Sequence, residues 1–184
     1  MQALSFPAPA GASVFKSAAK AVGISGFLLI LVACQEGQTT DRAGFKAKYQ
    51  VARNALEEGS YARAGRNYKA LLAQAGPLEP RVRLEYAHSL LRNDQFEAAA
   101  AEAGKVANSQ TGNARLAALA VRGTADHELA RAAIANGQRD AAVRARLQAA
   151  ASALDAVLKH AKTFDPVGSL ATRRKQIAAD LAAL

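Results

Sequence analysis

The chain has 184 residues, and its 24 Lys and Arg against 15 Asp and Glu give a formal net charge of +9. That length holds about one domain, and the basic excess favours anionic partners. A single cysteine excludes an intramolecular disulfide, and the absence of Trp with only 5% aromatics leaves too few rings for a base-stacking platform, which argues against nucleic acid.

In chain order, Lys16 and Lys20 precede an uncharged apolar run from Ala21 to Val32, and no acid occurs before Glu36. Basic segment, short apolar core and small residue follow one another as in a secretory signal. The run is shorter than the roughly 20 residues that span a bilayer, and Gly23 and Gly26 interrupt it as a buried helix. Its end, Leu31-Val32-Ala33-Cys34, resembles the lipobox of bacterial lipoproteins. The resemblance implies cleavage before Cys34, a thioether lipid on Cys34 and acylation of the new amino group. With Gln35 and Glu36 rather than Asp after the cysteine, it also implies retention at the periplasmic face of the outer membrane rather than at the inner membrane. Residues 1–33 then form the signal peptide. Residues 34–44 form a lipidated cysteine and a flexible tether, rich in Gly, Gln and Thr.

The remainder is rich in Ala, Leu and Arg and poor in β-branched residues, a composition that predicts an all-α fold. Breaks fall at Glu58-Gly59-Ser60, Gly76-Pro77, Asn93-Asp94, Asn108 to Asn113, Asn136-Gly137, and Asp165-Pro166 through Ser169. Between them lie paired helical segments. Residues 45–164 are expected to form the helical domain and residues 165–184 a final helix. That helix has Ser169 as its N-cap, with Leu170, Ile177, Leu181 and Leu184 near one face.

The pairs are internally similar. Ala52, Ala55, Gly59, Tyr61, Ala64 and Tyr68 make one frame; Ala87, Leu90, Asp94, Phe96, Ala99 and Ala103 make a second, 35 residues on. A degenerate third frame is Ala130, Ala133, Gly137, Arg139, Ala142 and Arg146, and it needs an extra stretch, Ala114 to Arg122, in its first helix. The pattern resembles the tetratricopeptide repeat, in which small residues let two helices approach and an aromatic after the turn fills the gap. The resemblance implies a short right-handed solenoid of two clear repeats and one degenerate one, closed by a C-terminal capping helix. A generic alanine-rich bundle is the other reading of the same residues.

No constellation for catalysis is present. His88, His127 and His160 lie on separate expected helices with no second ligand at metal spacing, and there is no phosphate loop, nucleophile elbow or free thiol. Neither an enzyme nor a cofactor is expected, beyond the lipid on Cys34. Glu57-Glu58 reads as a solvated corner.

In the repeat family the first helix of each pair lines a concave groove. By that resemblance the groove is lined by Lys46, Tyr49 and Arg53, then Arg81, Leu84, His88 and Arg92, then His127 and Arg131. These residues make it positive with two apolar contacts; as exposed arginines they read equally as a solvated face. Tyr49 and Arg53 stand where some members carry a carboxylate-clamping Lys and Asn pair, so an acidic or amphipathic segment suits the groove better. The expectation is a lipid-anchored scaffold that binds another envelope protein. By resemblance such scaffolds are assembly factors of pilus or secretion machinery, those of tight-adherence systems among them. The alternative is an accessory or regulator of a peptidoglycan enzyme.

Overall fold

The computed structural model describes the backbone of residues 33–184 and the side chains from Arg42 onward. The signal segment and the lipobox residues Leu31 and Val32 lie outside the described residues.

The described residues form eight α-helices and no strand: α1 Ala33–Glu57, α2 Tyr61–Leu71, α3 Glu79–Arg92, α4 Phe96–Ser109, α5 Gly112–Ala135, α6 Ala141–Leu158, α7 Ala161–Phe164 and α8 Ser169–Ala182. Two short 3-10 turns, Leu72–Gln74 and Gly76–Leu78, join α2 to α3. From α1 to α6 each helix packs on the next in the chain; α3 also touches α5, and α8 folds back on α6 and α5. None of these helices is long and apolar enough to cross a membrane. The segment Gln35 to Gly44, expected as a flexible tether, is helical and continuous with α1.

Three turns close alike. Gly59, Asp94 and Gly137 follow α1, α3 and α5 with φ of +78°, +56° and +81°. In each the next residue donates its amide five residues back, Ser60 to Ala55, Gln95 to Leu90 and Gln138 to Ala133, at 2.8 to 3.0 Å. This left-handed closure satisfies carbonyls that a helix end leaves unpaired.

Alanine dominates the crossings. Ala52, Ala64, Ala87, Ala99, Ala103 and Ala130 are fully buried, as is Tyr68. A residue without side chain beyond Cβ lets backbones approach, and larger groups such as Leu71 and Val82 fill the remaining space. The third frame is corrected by one residue. Ala142 is exposed and Arg146 half-exposed, while Val143 and Leu147 are buried. The cause is a longer turn: α6 begins four residues after Gly137, whereas α2 and α4 begin two residues after Gly59 and Asp94. Asp140 caps α6, its carboxylate accepting from the Val143 amide at 3.0 Å, and this fixes the shifted phase.

Ser169 is the first residue of α8 and not its capping group. The acceptor is Asp165, which receives the amides of Leu170 and Ala171 at 2.9 Å and the Ser169 hydroxyl at 3.1 Å. Desolvation acts to raise this carboxyl's pKa, but the donated hydrogen bonds outweigh it and hold it below the usual range. Ile177 is buried, and Leu170, Leu181 and Leu184 pack with it against Leu147 and Leu154 of α6.

A cationic cleft between α1 and α3

Two turns of helical spacing build the site. Arg42, Phe45, Lys46 and Tyr49 are spaced i, i+3, i+4, i+7 on α1 and so share a face. That face looks across the Gln74 to Leu78 turn to Arg81 and Val82 at the start of α3, and together they line a cleft of about 580 Å³. The turn lies close because Ala75 is buried against the α1–α2 core, and Pro77 shapes the second 3-10 turn.

The floor is aromatic. Phe45 stacks on Tyr49 with ring centres 6.4 Å apart, and Tyr49 meets Tyr68 edge-on at 5.8 Å. The Arg81 guanidinium lies over the Tyr49 ring at 5.7 Å, a cation–π contact that positions its charge without neutralising it. Leu78 at the rim is 50% exposed. Tyr68 is fully buried below, and its hydroxyl has no hydrogen-bond partner. Burial, with the nearby Glu85 charge, pushes that phenol well above its ordinary pKa, so it stays neutral.

Among the described residues no carboxylate lines the cleft, and Arg42, Lys46 and Arg81 form no ion pair. An acid lies behind it. Glu85 sits 3.5 Å from the Tyr49 hydroxyl and pairs with Arg53 at 3.2 Å, while Arg53 also holds Glu57 at 2.6 Å.

Of the nine expected groove residues, Lys46, Tyr49 and Arg81 meet in this cleft. Arg53 stands next to it with its charge already answered. The other five do not line the cleft. Leu84 is partly buried and packs against the cluster of Val106, Ala107 and Ala118. His88 is half-buried; desolvation lowers its pKa, and the charges of Arg92 and Arg53 lower it further. Arg92 lies over the Tyr61 ring at 4.7 Å and donates to its hydroxyl. His127 is fully buried under α8, and the exposed Arg131 lies 3.4 Å from Glu128. Three of the nine thus share a short cleft at the N-terminal end of the helical domain, and His127 is closed off from solvent.

Arg42, Phe45 and Leu78 line the cleft but lie outside the expected groove set. Arg42 falls in the expected tether, although its spacing to Phe45, Lys46 and Tyr49 is legible in the sequence. Leu78 follows a Gly-Pro break and carries no periodic signal. Among the described residues no three His, Cys, Asp or Glu side chains are placed to hold a metal. Compared with known proteins, the chain matches no family model, no curated protein and no solved structure.

Proposed function

We propose that this chain is a membrane-anchored helical-repeat adaptor of the tetratricopeptide kind. In this reading Cys34 carries the lipid, the protein sits at the periplasmic face of the outer membrane, and α1 to α6 form three helical hairpins of a short right-handed solenoid capped by α8. Three turns with the same left-handed closure and the same five-residue hydrogen bond support the repeat. The adaptor's ligand is an acidic, partly apolar segment of another envelope protein, in the setting of pilus or secretion-type assembly. No catalytic step is part of this reading.

One observation carries the binding surface: three cations rim an aromatic floor, with no acid among the described lining residues. Charges beside a low-dielectric wall act more strongly than on open surface, and apolar contacts add what the charges alone do not supply. A segment alternating acidic and aromatic or aliphatic residues satisfies both.

The test places a photocrosslinking residue at Leu78 in the cleft and, as control, at Val167, which is 86% exposed on the α7–α8 loop. Crosslinking in intact cells from position 78, mapped to an acidic stretch of one envelope protein and absent from position 167, is the expected result. Equal adducts from both positions, or adducts only to basic or glycan material, contradict it.

A further inference from the structure

Apolar packing is not all that holds α8 in place. His127 of α5 is fully buried. Its Nε2 lies 2.9 Å from Asp180 Oδ2, and its Nδ1 lies 3.1 Å from Arg173 Nη1; both partners belong to α8. The same Arg173 nitrogen donates to Glu128 Oε1 of α5 at 2.6 Å. A guanidinium only donates. Nδ1 is therefore an acceptor, the imidazole proton sits on Nε2, and it is donated to Asp180. The ring is neutral, and each of its nitrogens is committed to α8.

The other charges nearby are used elsewhere. Arg131 lies 3.4 Å from the second oxygen of Glu128. Asp126 is held by Arg122 at 3.5 Å and by Arg146 of α6 at 3.4 Å, and Asp155 of α6 takes Arg174 at 2.8 Å. None of these groups bonds to His127, and among the described residues no carboxylate hydrogen-bonds to Nδ1. A proton arriving at Nδ1 turns an acceptor into a charged N–H aimed at a guanidinium 3.1 Å away. Asp180 favours the added charge, but the loss of water around the ring and the Arg173 charge oppose it.

We propose that Glu128, Arg173, His127 and Asp180 form a proton-operated latch: the neutral imidazole clamps α8 to α5, and protonation displaces Arg173 and frees α8 while the preceding hairpins stay folded. The sign follows from linkage. Desolvation lowers the pKa of the docked imidazole below its ordinary value, despite Asp180, whereas in the released form it titrates near 6.5. The released form takes up the proton first. Docking is full above about pH 6.5 and weakens as pH falls below it, by up to tenfold per unit until the docked ring itself titrates. The latch is independent of the cleft and of any partner.

Amide hydrogen exchange on the full chain, corrected for intrinsic rates, reads it directly. Between pH 7.5 and 5.5, residues 169–182 should lose up to about tenfold in protection, while α2 and α4, which carry no histidine, change by about twofold at most. His127→Gln keeps an acceptor and a donor but cannot titrate, and should remove the pH dependence. Nitrogen-15 spectra of the wild-type ring provide a check without any variant, and should show the Nε2–H tautomer at pH 7.5. Flat protection of α8, the same pH dependence in His127→Gln, or an Nδ1–H tautomer would overturn the proposal.

Discussion

Gly59 and Asp94 occupy the same left-handed position at the ends of α1 and α3, with φ of +78° and +56°. Only the first has the residue that this conformation favours. An L side chain there costs about 1–2 kcal/mol, less for Asp than for most. Asp94→Gly is therefore expected to stabilise the chain by about 0.5–1 kcal/mol. Gly59→Ala should cost about 1–2 kcal/mol, although a Cβ at Gly59 would find its nearest neighbour, the Tyr61 hydroxyl, at an unstrained 3.8 Å. Chemical denaturation of both variants checks the pair.

Ala64 and Ala99 are fully buried where α2 and α4 cross their partners. Leucine at either should cost about 1–3 kcal/mol through overpacking, whereas at the exposed Ala62 and Ala142 it should cost little. Thermal melts separate the two classes. Equal melting of Ala62→Leu and Ala64→Leu would refute the assigned burial.

Gly123 lies inside α5, where alanine would ordinarily favour the helix by about 1 kcal/mol. Here a Cβ would stand 3.0 Å from Leu154 Cδ2 and 3.2 Å from the Ala150 carbonyl oxygen. Leu154 is fully buried and has little room to yield. Gly123→Ala is expected to destabilise by about 1 kcal/mol net, the overpacking cost exceeding the gain in propensity. A rise in denaturation midpoint would show that α6 gives way.

The anchor has its own test. Each acyl methylene contributes about 0.8 kcal/mol to membrane attachment, so several chains on the proposed anchor would hold the protein stably at a membrane. Cys34→Ala should abolish labelling by a palmitate analogue and release the chain from membranes. Labelling equal to wild type would remove the anchor from the account, and fractionation with the inner membrane would remove its assigned location.

Much of the helix plan was legible because its signals are local. Glu58-Gly59-Ser60, Asn93-Asp94 and Asn136-Gly137 each mark a turn, and each turn is where the spacing places it. Ala52, Ala55, Ala64 and Tyr68, the small and aromatic positions of the first repeat frame, are all buried. What failed depended on three dimensions. The length of the turn after Gly137, two residues more than its counterparts, decides between Ala142 and Val143, and only the Asp140 cap reveals it. Arg53 read as free charge because its partner Glu85 is 32 residues away on another helix. His127 looked like a groove residue until α8 folded back over it with Asp180, 53 residues on. Polar partners far apart in sequence leave no periodic trace.

The central claim is that the cleft between α1 and α3 recognises an acidic, partly apolar segment. Its most direct test is fluorescence-polarisation titration with a labelled peptide alternating Glu with Phe and Leu, beside the same peptide carrying Lys for Glu. The acidic peptide should bind, and more weakly as salt rises, because exposed charges are screened beyond about 8 Å at physiological ionic strength. Lys46→Glu with Arg81→Glu should weaken binding by at least about tenfold, since like charges facing one another cost several kcal/mol across an interface. Arg92→Glu should leave it unchanged, because that guanidinium lies on Tyr61 and does not line the cleft. Equal affinity for both peptides, or undiminished binding by the doubly reversed cleft, would contradict the account.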